Sequence, residues 1–285
     1  MFYDFIEIGT SDFDTLIQSA DQGARGLSID ALSIYLDRLP SPKNCQKVQA
    51  AISDREGEVA FYFVRPEHIA QYGLASWVRG CNSIGKPHPS VVAQLEGLGL
   101  EPMEVMSVET VRMCRLMSIF DQYEVEGVYY LKVDTEGHDA VILHDFFDAC
   151  DNHRLPHSLL FESNILSERE GIQRLIAKLI NRGYDLIRSE TEGADSNTFM
   201  RLNMSRLTGR ERFSGPISEY YLADYPNDYN PLALPHENTL EAAQAYCVKH
   251  KLGGVTYQYG RFEVRQGTRL MAQKGDAQIR SWIYL

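Results

Sequence analysis

No stretch of this chain approaches the roughly 20 apolar residues that a membrane-spanning helix requires, so none is expected. The first residues lack a basic segment followed by an apolar one, so no secretory signal peptide is expected either. Basic side chains are scarce. Against 39 Asp and Glu stand 28 Lys and Arg, a formal net charge of −11. Nucleic-acid backbones and anionic membranes both need a basic surface, so neither is expected as the main partner. The five cysteines (Cys45, Cys81, Cys114, Cys150, Cys247) are scattered, odd in number and form no CxxC pair. Neither a zinc site nor a disulfide framework is expected from them, and a reducing, cytoplasmic setting follows as the expectation. There is no internal repeat and no low-complexity tract.

What is present is the composition of a core. Hydrophobic residues make up 44% of 285, enough for one sizeable domain plus a small one. The first half alternates strand-like and helix-like pieces. Phe2 to Ile8 is apolar enough for a buried strand. Phe13 to Ala24 predicts a helix with Phe13, Leu16, Ile17 and Ala20 on one face. Gly26 to Asp30 is a short strand ending in an acid, Leu32 to Leu39 a helix stopped at Pro40, and Val48 to Ser53 a third strand. Such alternation implies parallel pairing with right-handed crossovers. A turn at Asp54–Gly57 leads to an alternating strand over Glu58 to Val64. Residues 65–102, rich in glycine and proline, read as a long irregular insertion on the substrate side. Val108 to Tyr123 predicts a helix, Val128 to Asp134 a buried strand, Asp139 to Cys150 a helix, and His157 to Glu162 another buried strand. Glu168 to Arg182 is an amphipathic helix closed by Gly183, with a closing strand pair over Tyr184–Ser189 and Thr198–Leu202. The expected division is a domain over 1–213, a linker rich in Tyr, Pro, Asn and Asp over 214–231, and a small helix-plus-hairpin α+β module over 232–285. In that module Thr239 to His250 is helical, and Val255–Tyr259 and Arg261–Arg265 are joined by a tight turn.

Acids recur at strand ends: Glu7, Asp30, Asp134 and Glu162. Parallel strands deliver such residues to the ligand edge of an open α/β sheet. Glu7-x-Gly9-x-Ser11-x-Phe13 sits where a dinucleotide fingerprint would, yet only its first glycine is present. The missing glycines allow approach to a pyrophosphate and close helix–strand packing. A nucleotide without a pyrophosphate, such as S-adenosylmethionine, does not need them. Asp30 lies 23 positions after Glu7, where a carboxylate accepts hydrogen bonds from ribose hydroxyls. Acids around the pocket also suit a sulfonium cation.

These residues resemble the FkbM family of S-adenosylmethionine-dependent O-methyltransferases over roughly residues 1–205. The matching pieces are Phe5-Ile6-Glu7-Ile8-Gly9, Ala50-Ala51-Ile52-Ser53-Asp54-x-x-Gly57 and, most specific, Leu131-Lys132-Val133-Asp134-Thr135-Glu136-Gly137. The resemblance implies a Rossmann-like class I methyltransferase fold: a mostly parallel sheet with helices on both faces. It implies methyl transfer to a hydroxyl of a sugar or glycan. By position, Glu7, Gly9, Thr10 and Ser11 would line the methionine end of the cofactor, Asp30 would hold the ribose, Ser53 and Asp54 would sit near the adenine, and Asp134 would lie beside the sulfonium. His138 and Asp139 depart from the family pattern. The C-terminal module resembles PAN/apple modules without their disulfides.

Asp134, His138 and Glu162 are the candidate bases, since a base must take the hydroxyl proton. Nearby acids are expected to favour the charged form of His138. A magnesium ion on Asp134, Glu162 and Asn164 is the other route, since these are hard oxygen ligands. In the insertion, Trp77 and Tyr72 are candidates to stack on a sugar face, and Asn82, Lys86 and His88 to bind its hydroxyls. Two rival readings are an NAD-dependent sugar oxidoreductase and a non-catalytic glycan- or partner-binding protein on the same scaffold.

Overall fold

The computed structural model describes residues 1–21, 23–164, 166–189, 196–203, 217–218, 220–223, 239–268, 270–272 and 278–283. The first eleven strands are β1 (Phe2–Ile8), β2 (Gly26–Asp30), β3 (Cys45–Gln49), β4 (Ala51–Ser53), β5 (Gly57–Phe63), β6 (Ser83–Ile84), β7 (Ser107–Arg115), β8 (Gly127–Val133), β9 (Ser158–Glu162), β10 (Tyr184–Ser189) and β11 (Asn197–Leu202). Seven of them form one mostly parallel sheet in the order β10-β11-β9-β8-β1-β2-β3. Its central pairs, β1 with β2 and β8, β2 with β3, and β8 with β9, are all parallel. Strands buried on both faces read as apolar runs, and every residue of β2 is buried. Chain succession turns around between β1 and β8. There Ile8 stands opposite Val133, so both strands end at the same level.

The other four strands make a second sheet, β4-β7-β5-β6. Two expectations change here. Val48 to Ser53 is not one strand: β3 and β4 belong to different sheets, with Ala50 between them. Val108 to Tyr123 is not one helix: β7 pairs antiparallel with β5, and only Leu116–Gln122 is helical. Val108, Thr110 and Val111 are β-branched or flank β-branched neighbours and favour a pleated surface, and Val111 and Met113 alternate into the core. The expected helices near the N-terminus are also shorter, Leu16–Ser19 and Ser33–Leu36. Ser11 and Asp14 adopt left-handed backbone angles, φ 48° and 52°, which no continuous right-handed helix allows.

Residues 65–102 are more ordered than an irregular insertion. They hold helices Pro66–Gln71 and Pro89–Gly97. Val64, Leu74, Val78, Val91, Leu95, Val105 and Met106 form a core beneath them, with Tyr72 packed against it. Tyr72 is therefore a packing residue and not a stacking platform.

By packing, the chain divides into two compact units: Met1–Ser167 with Glu190–Thr198, and Glu168–Ser189 with Phe199–Leu285. Helix Arg169–Asn181 and β10 thus group with the C-terminal elements, whereas the expected boundary is residue 213. The expected linker 214–231 falls mostly outside the described residues. The C-terminal elements include β12 (Ile217–Ser218), β13 (Tyr220–Leu222), β14 (Gly254–Gln258), β15 (Arg261–Arg265), β16 (Leu270–Ala272), β17 (Arg280–Ile283) and helix Leu240–His250. Ala243 and Cys247 of that helix pack on Val255, Val264 and Trp282. Tyr259 and Gly260, both at positive φ, make the tight turn of the β14–β15 hairpin, as two-residue hairpin loops require. Among the described residues no helix is long and apolar enough to cross a membrane.

Candidate functional site

A cavity of about 620 Å³ opens at the carboxyl ends of β1, β8 and β9. This volume lies in the range of small-molecule sites, and all its lining residues belong to the first unit. A slot of about 50 Å³ shares Gly9, Ser11, Gly80, Asp134 and Glu136 with it. The slot continues along Asp30, Ala31, Ala51, Ile52, Phe61, Asn82 and Ile84. Open parallel sheets place ligands in this crevice, beyond the strand ends where succession reverses.

The turn after β1 shapes the crevice. Gly9 has φ +78°, and a Cβ there would stand 1.8 Å from the Asp134 carbonyl oxygen. Only glycine lets the two strand ends come this close. Thr10 and Ser11 follow on the cavity wall. The Ser11 N–H donates to Asp30 Oδ2 at 2.8 Å, and the Leu32 N–H donates to Asp30 Oδ1 at 2.8 Å. Asp30 thereby fixes the turn while lining the slot. Burial pushes its carboxyl up to about 6.

Glu7 lines neither space. Its carboxylate accepts from the N–H groups of Leu16 (2.5 Å) and Ile17 (3.1 Å) and from Ser28 Oγ (2.5 Å). The expected contact with the cofactor's methionine end is corrected accordingly: this acid anchors the first turn of a short helix, as capping carboxylates do. Burial raises its pKa despite those bonds.

The acids after β8 and β9 converge. Carboxylate oxygens of Asp134, Glu136 and Glu162 all lie within 4.8 Å of one another. Lys132, two residues before Asp134 on the same strand face, reaches Asp14 Oδ2 at 2.9 Å and Asp134 Oδ2 at 3.4 Å. Burial still raises Asp134, with Lys132 opposing it. Glu162 accepts from Asn164 Nδ2 (2.5 Å) and the Gly137 N–H (3.2 Å). Burial first, then the neighbouring Asp139, Glu136 and Asp134, push Glu162 up to about 9. Asn164 spends its amide on structure, since its Oδ1 accepts the Leu166 N–H at 2.9 Å. Asp139 is fully buried and accepts from the Thr135 N–H, Thr135 Oγ1 and the Glu162 N–H. It ties the ends of β8 and β9 together, and burial pushes it up to about 7.

Glu136 stands in the strongest motif of the sequence and still has no assigned role in the expectations above. The signal was its place two residues after Asp134 and before a glycine. Glu136 and Gly137 take φ +53° and +90°, a turn that brings the Glu136 side chain onto the cavity wall. Opposite stands His88, 2% exposed, with Nε2 3.4 Å from Glu136 Oε2. His88 Nδ1 accepts the Ser90 N–H at 3.2 Å, so the ring hydrogen sits on Nε2 and faces the acid. Cys81 lies within 4.8 Å of both. Burial, then Glu136 and Glu162, hold its thiol far above the ordinary range. A histidine turned as a donor and a protonated thiol make a poor transition-metal set. Asp134, Glu136 and Glu162 offer oxygens of the kind magnesium takes.

Of the residues expected to bind a sugar, Trp77 and His88 line the cavity, whereas Asn82 lines the slot. Lys86 does not: it is exposed, and its carbonyl accepts from Ser83 Oγ. His138, Ser53 and Asp54 line neither space. His138 Nε2 instead lies 2.9 Å from Ser53 Oγ, which also donates to Asp54 Oδ1 at 3.1 Å. Burial lowers the pKa of His138, outweighing the opposing pull of Asp54. The expectation of a charged histidine beside the acid cluster is corrected on both counts, because the ring is buried against Ser53 and does not line the cavity. Compared with known proteins, the chain matches no family model, no curated protein and no solved structure.

Proposed function

We propose that this chain is an S-adenosylmethionine-dependent O-methyltransferase of the class I, Rossmann-like type, transferring methyl to a hydroxyl of a sugar or glycan. The observation that carries the reading is the double space around Gly9 and Asp134: a slot past Asp30 joined to a larger cavity ringed by acids. Five central strands run in the order β3-β2-β1-β8-β9, the succession of a doubly wound nucleotide-binding sheet. Asp30 keeps lone pairs beyond its two backbone bonds, so it can still accept from a ribose diol. The apolar walls Ala31, Ala51, Ile52, Phe61 and Ile84 suit a heteroaromatic base. Asp134 stands at the junction, suited to a sulfonium.

When bound, the cofactor supplies a methyl carbon on a cationic sulfur. The chain's own part is alignment, exclusion of water and acceptance of a proton. Alignment contributes most, since effective molarities reach ~10⁵ M or more. Trp77 and His88 wall the space that the acceptor would fill. Glu162, in its ionised form, takes the hydroxyl proton as the oxygen bonds to the methyl carbon and the sulfur keeps the electron pair of the broken bond. Such a base adds about 10²–10⁴-fold. The test is calorimetry with S-adenosylhomocysteine. Binding to wild type is expected, and Asp30→Asn, which preserves one oxygen acceptor for the turn, should weaken it at least tenfold. Absence of binding to folded wild-type protein overturns the proposal.

A further inference from the structure

We infer that His88 and Glu136 together seat a second, unreacting hydroxyl of the acceptor beside the one that is methylated: the acceptor is an uncharged vicinal diol, as a pyranose presents. This inference deepens the methyltransferase reading and rests on it for which hydroxyl reacts.

His88 is a buried donor without an acceptor. It is 2% exposed and lines the 620 Å³ cavity. Its Nδ1 accepts the Ser90 N–H, which leaves the ring hydrogen on Nε2. That N–H has no hydrogen-bond partner among the described residues. A buried donor left unpaired costs stability, so one on a cavity wall points to an acceptor atom on a ligand. Glu136 lines the same cavity. Its Oε2 stands 3.4 Å from Nε2, beyond the usual reach of an N–H···O bond. Glu136 receives the weak thiol donor of Cys81 and keeps further lone pairs to accept with.

One chemical group answers both residues. A hydroxyl oxygen accepts from an N–H while its own hydrogen donates to a carboxylate. An oxygen about 2.9 Å from Nε2 and about 2.7 Å from Oε2 closes a triangle on the 3.4 Å base between them. An ammonium cannot accept from Nε2, and a carbonyl or carboxylate cannot donate to Glu136. An anion would also find no lysine or arginine among the described residues that line the cavity.

The reacting hydroxyl belongs to Glu162. A carboxyl oxygen of Glu162 lies within 4.8 Å of one of Glu136. Glu162 already accepts from Asn164 and Gly137, but a carboxyl group keeps acceptor capacity whether or not it carries a proton. Hydroxyls on adjacent carbons are close enough for each to bond to one of the two acids. With the second hydroxyl held by His88 and Glu136, the first cannot swing away from the methyl carbon, which is the alignment that transfer needs. Phe13 and Trp77 supply apolar wall to the same cavity, so a few convergent polar groups orient the ligand against it.

The test uses the full chain with nitrogen-labelled histidine, saturated with S-adenosylhomocysteine and followed by NMR. The probes are cis- and trans-cyclohexanediol with vicinal hydroxyls, cyclohexanol and cyclohexanone. The His88 signal is assigned by its loss in His88→Phe. One diol isomer should bind at least about tenfold more tightly than cyclohexanol, within the span of one buried donor satisfied, and should shift the His88 Nε2–H signal. In Glu136→Met and in His88→Phe, each checked for folding by a thermal melt, that preference should fall to near one. The His88 shift is read in wild type and needs no variant. Equal binding of diol and cyclohexanol overturns the inference, as does binding of neither, a diol that leaves His88 unshifted, or a preference unchanged in the folded variants. So does cyclohexanone binding as tightly as the diol, because the seat then takes a carbonyl, and so does Mg²⁺ alone shifting His88 and abolishing diol binding, because the acids then serve a divalent cation. The S-adenosylhomocysteine titration is read first and the diol titration is repeated without it. Absent cofactor binding with the diol preference intact sinks the cofactor reading alone and supports the hydroxyl seat; cofactor binding without the diol preference sinks the seat alone.

Discussion

Glu162 makes the ligand-free protein sensitive to alkali. Its folded pKa of about 9 stands above an ordinary value of 4.5, chiefly through burial. The folded state therefore keeps a proton that the unfolded chain releases. The stability this proton confers is complete below about pH 4.5 and is lost as pH rises toward 9. Between these limits one retained proton is worth about 1.4 kcal/mol per pH unit. From pH 6 to pH 8 the loss is about 3 kcal/mol. Asp139, pushed up to about 7 by burial, adds a further loss in the same direction over the lower half of that window. For a chain of this size each kcal/mol moves the melting temperature by roughly 2–4 °C, so Tm should fall by roughly 6–12 °C between pH 6 and pH 8. Glu162→Gln keeps a carbonyl oxygen for the Asn164 or Gly137 donor but has no proton to lose. Its melting temperature should vary with pH much less, leaving the Asp139 contribution, and at pH 8 it should exceed that of wild type. The assay is differential scanning fluorimetry across the pH series. A wild-type Tm that is flat from pH 6 to pH 8, or an equal slope in Glu162→Gln, refutes the reasoning.

Three further outcomes follow from the same geometry. Gly9→Ala should lose more than about 4 kcal/mol or fail to fold, because its Cβ would meet the Asp134 carbonyl at 1.8 Å; denaturant melts or soluble yield measure this. Glu7→Ala leaves two N–H groups and a hydroxyl without their acceptor and should cost about 2–5 kcal/mol, while the folded protein binds S-adenosylhomocysteine within a few-fold of wild type by calorimetry. His138→Ala should change methyl transfer to any active acceptor less than about threefold, because the ring faces Ser53 and not the cavity; a loss of a hundredfold or more would restore His138 as the base.

The fold was legible wherever one period dominated. The largely apolar runs Phe2–Ile8 and Val128–Val133, buried along most of their length, have no competing reading, and they became β1 and β8 with nearly the expected bounds. Val108 to Tyr123 shows the failure. Its apolar residues satisfy a helical spacing in the second half and a strand alternation in the first, and a single window averages the two. The partner decides: β5 offers an edge to residues 107–113, and no local pattern encodes that offer. The split at Ala50 is of the same kind. Both halves are extended, and only the sheet each one joins distinguishes them. The short first helix failed for another reason. Left-handed Ser11 and Asp14 delay its start, and neither residue type announces such a backbone.

The acids were visible in the sequence, but their employment was not. Glu7, Asp139, Glu136 and Glu162 are the same chemistry at comparable strand or helix ends. The structure separates them by what their oxygens already hold. Glu7 accepts three donors and Asp139 three, all from the protein itself. A carboxylate so completely used has little left for a ligand, and its burial is compensated within the fold. Glu136 receives a distant histidine N–H and the weak donor of the Cys81 thiol. Burial first, then three acidic neighbours, keep Glu162 protonated across the neutral range although it receives two donors. Replacement of Glu136 by glutamine would remove a partly buried charge that the fold does not answer. Retaining unanswered acids in a cavity is a standing cost of stability, and costs of this kind concentrate where a site must meet its ligand. Incomplete satisfaction, and not acidity, is therefore what distinguishes the cavity's Glu136 and Glu162 from the structural acids around them.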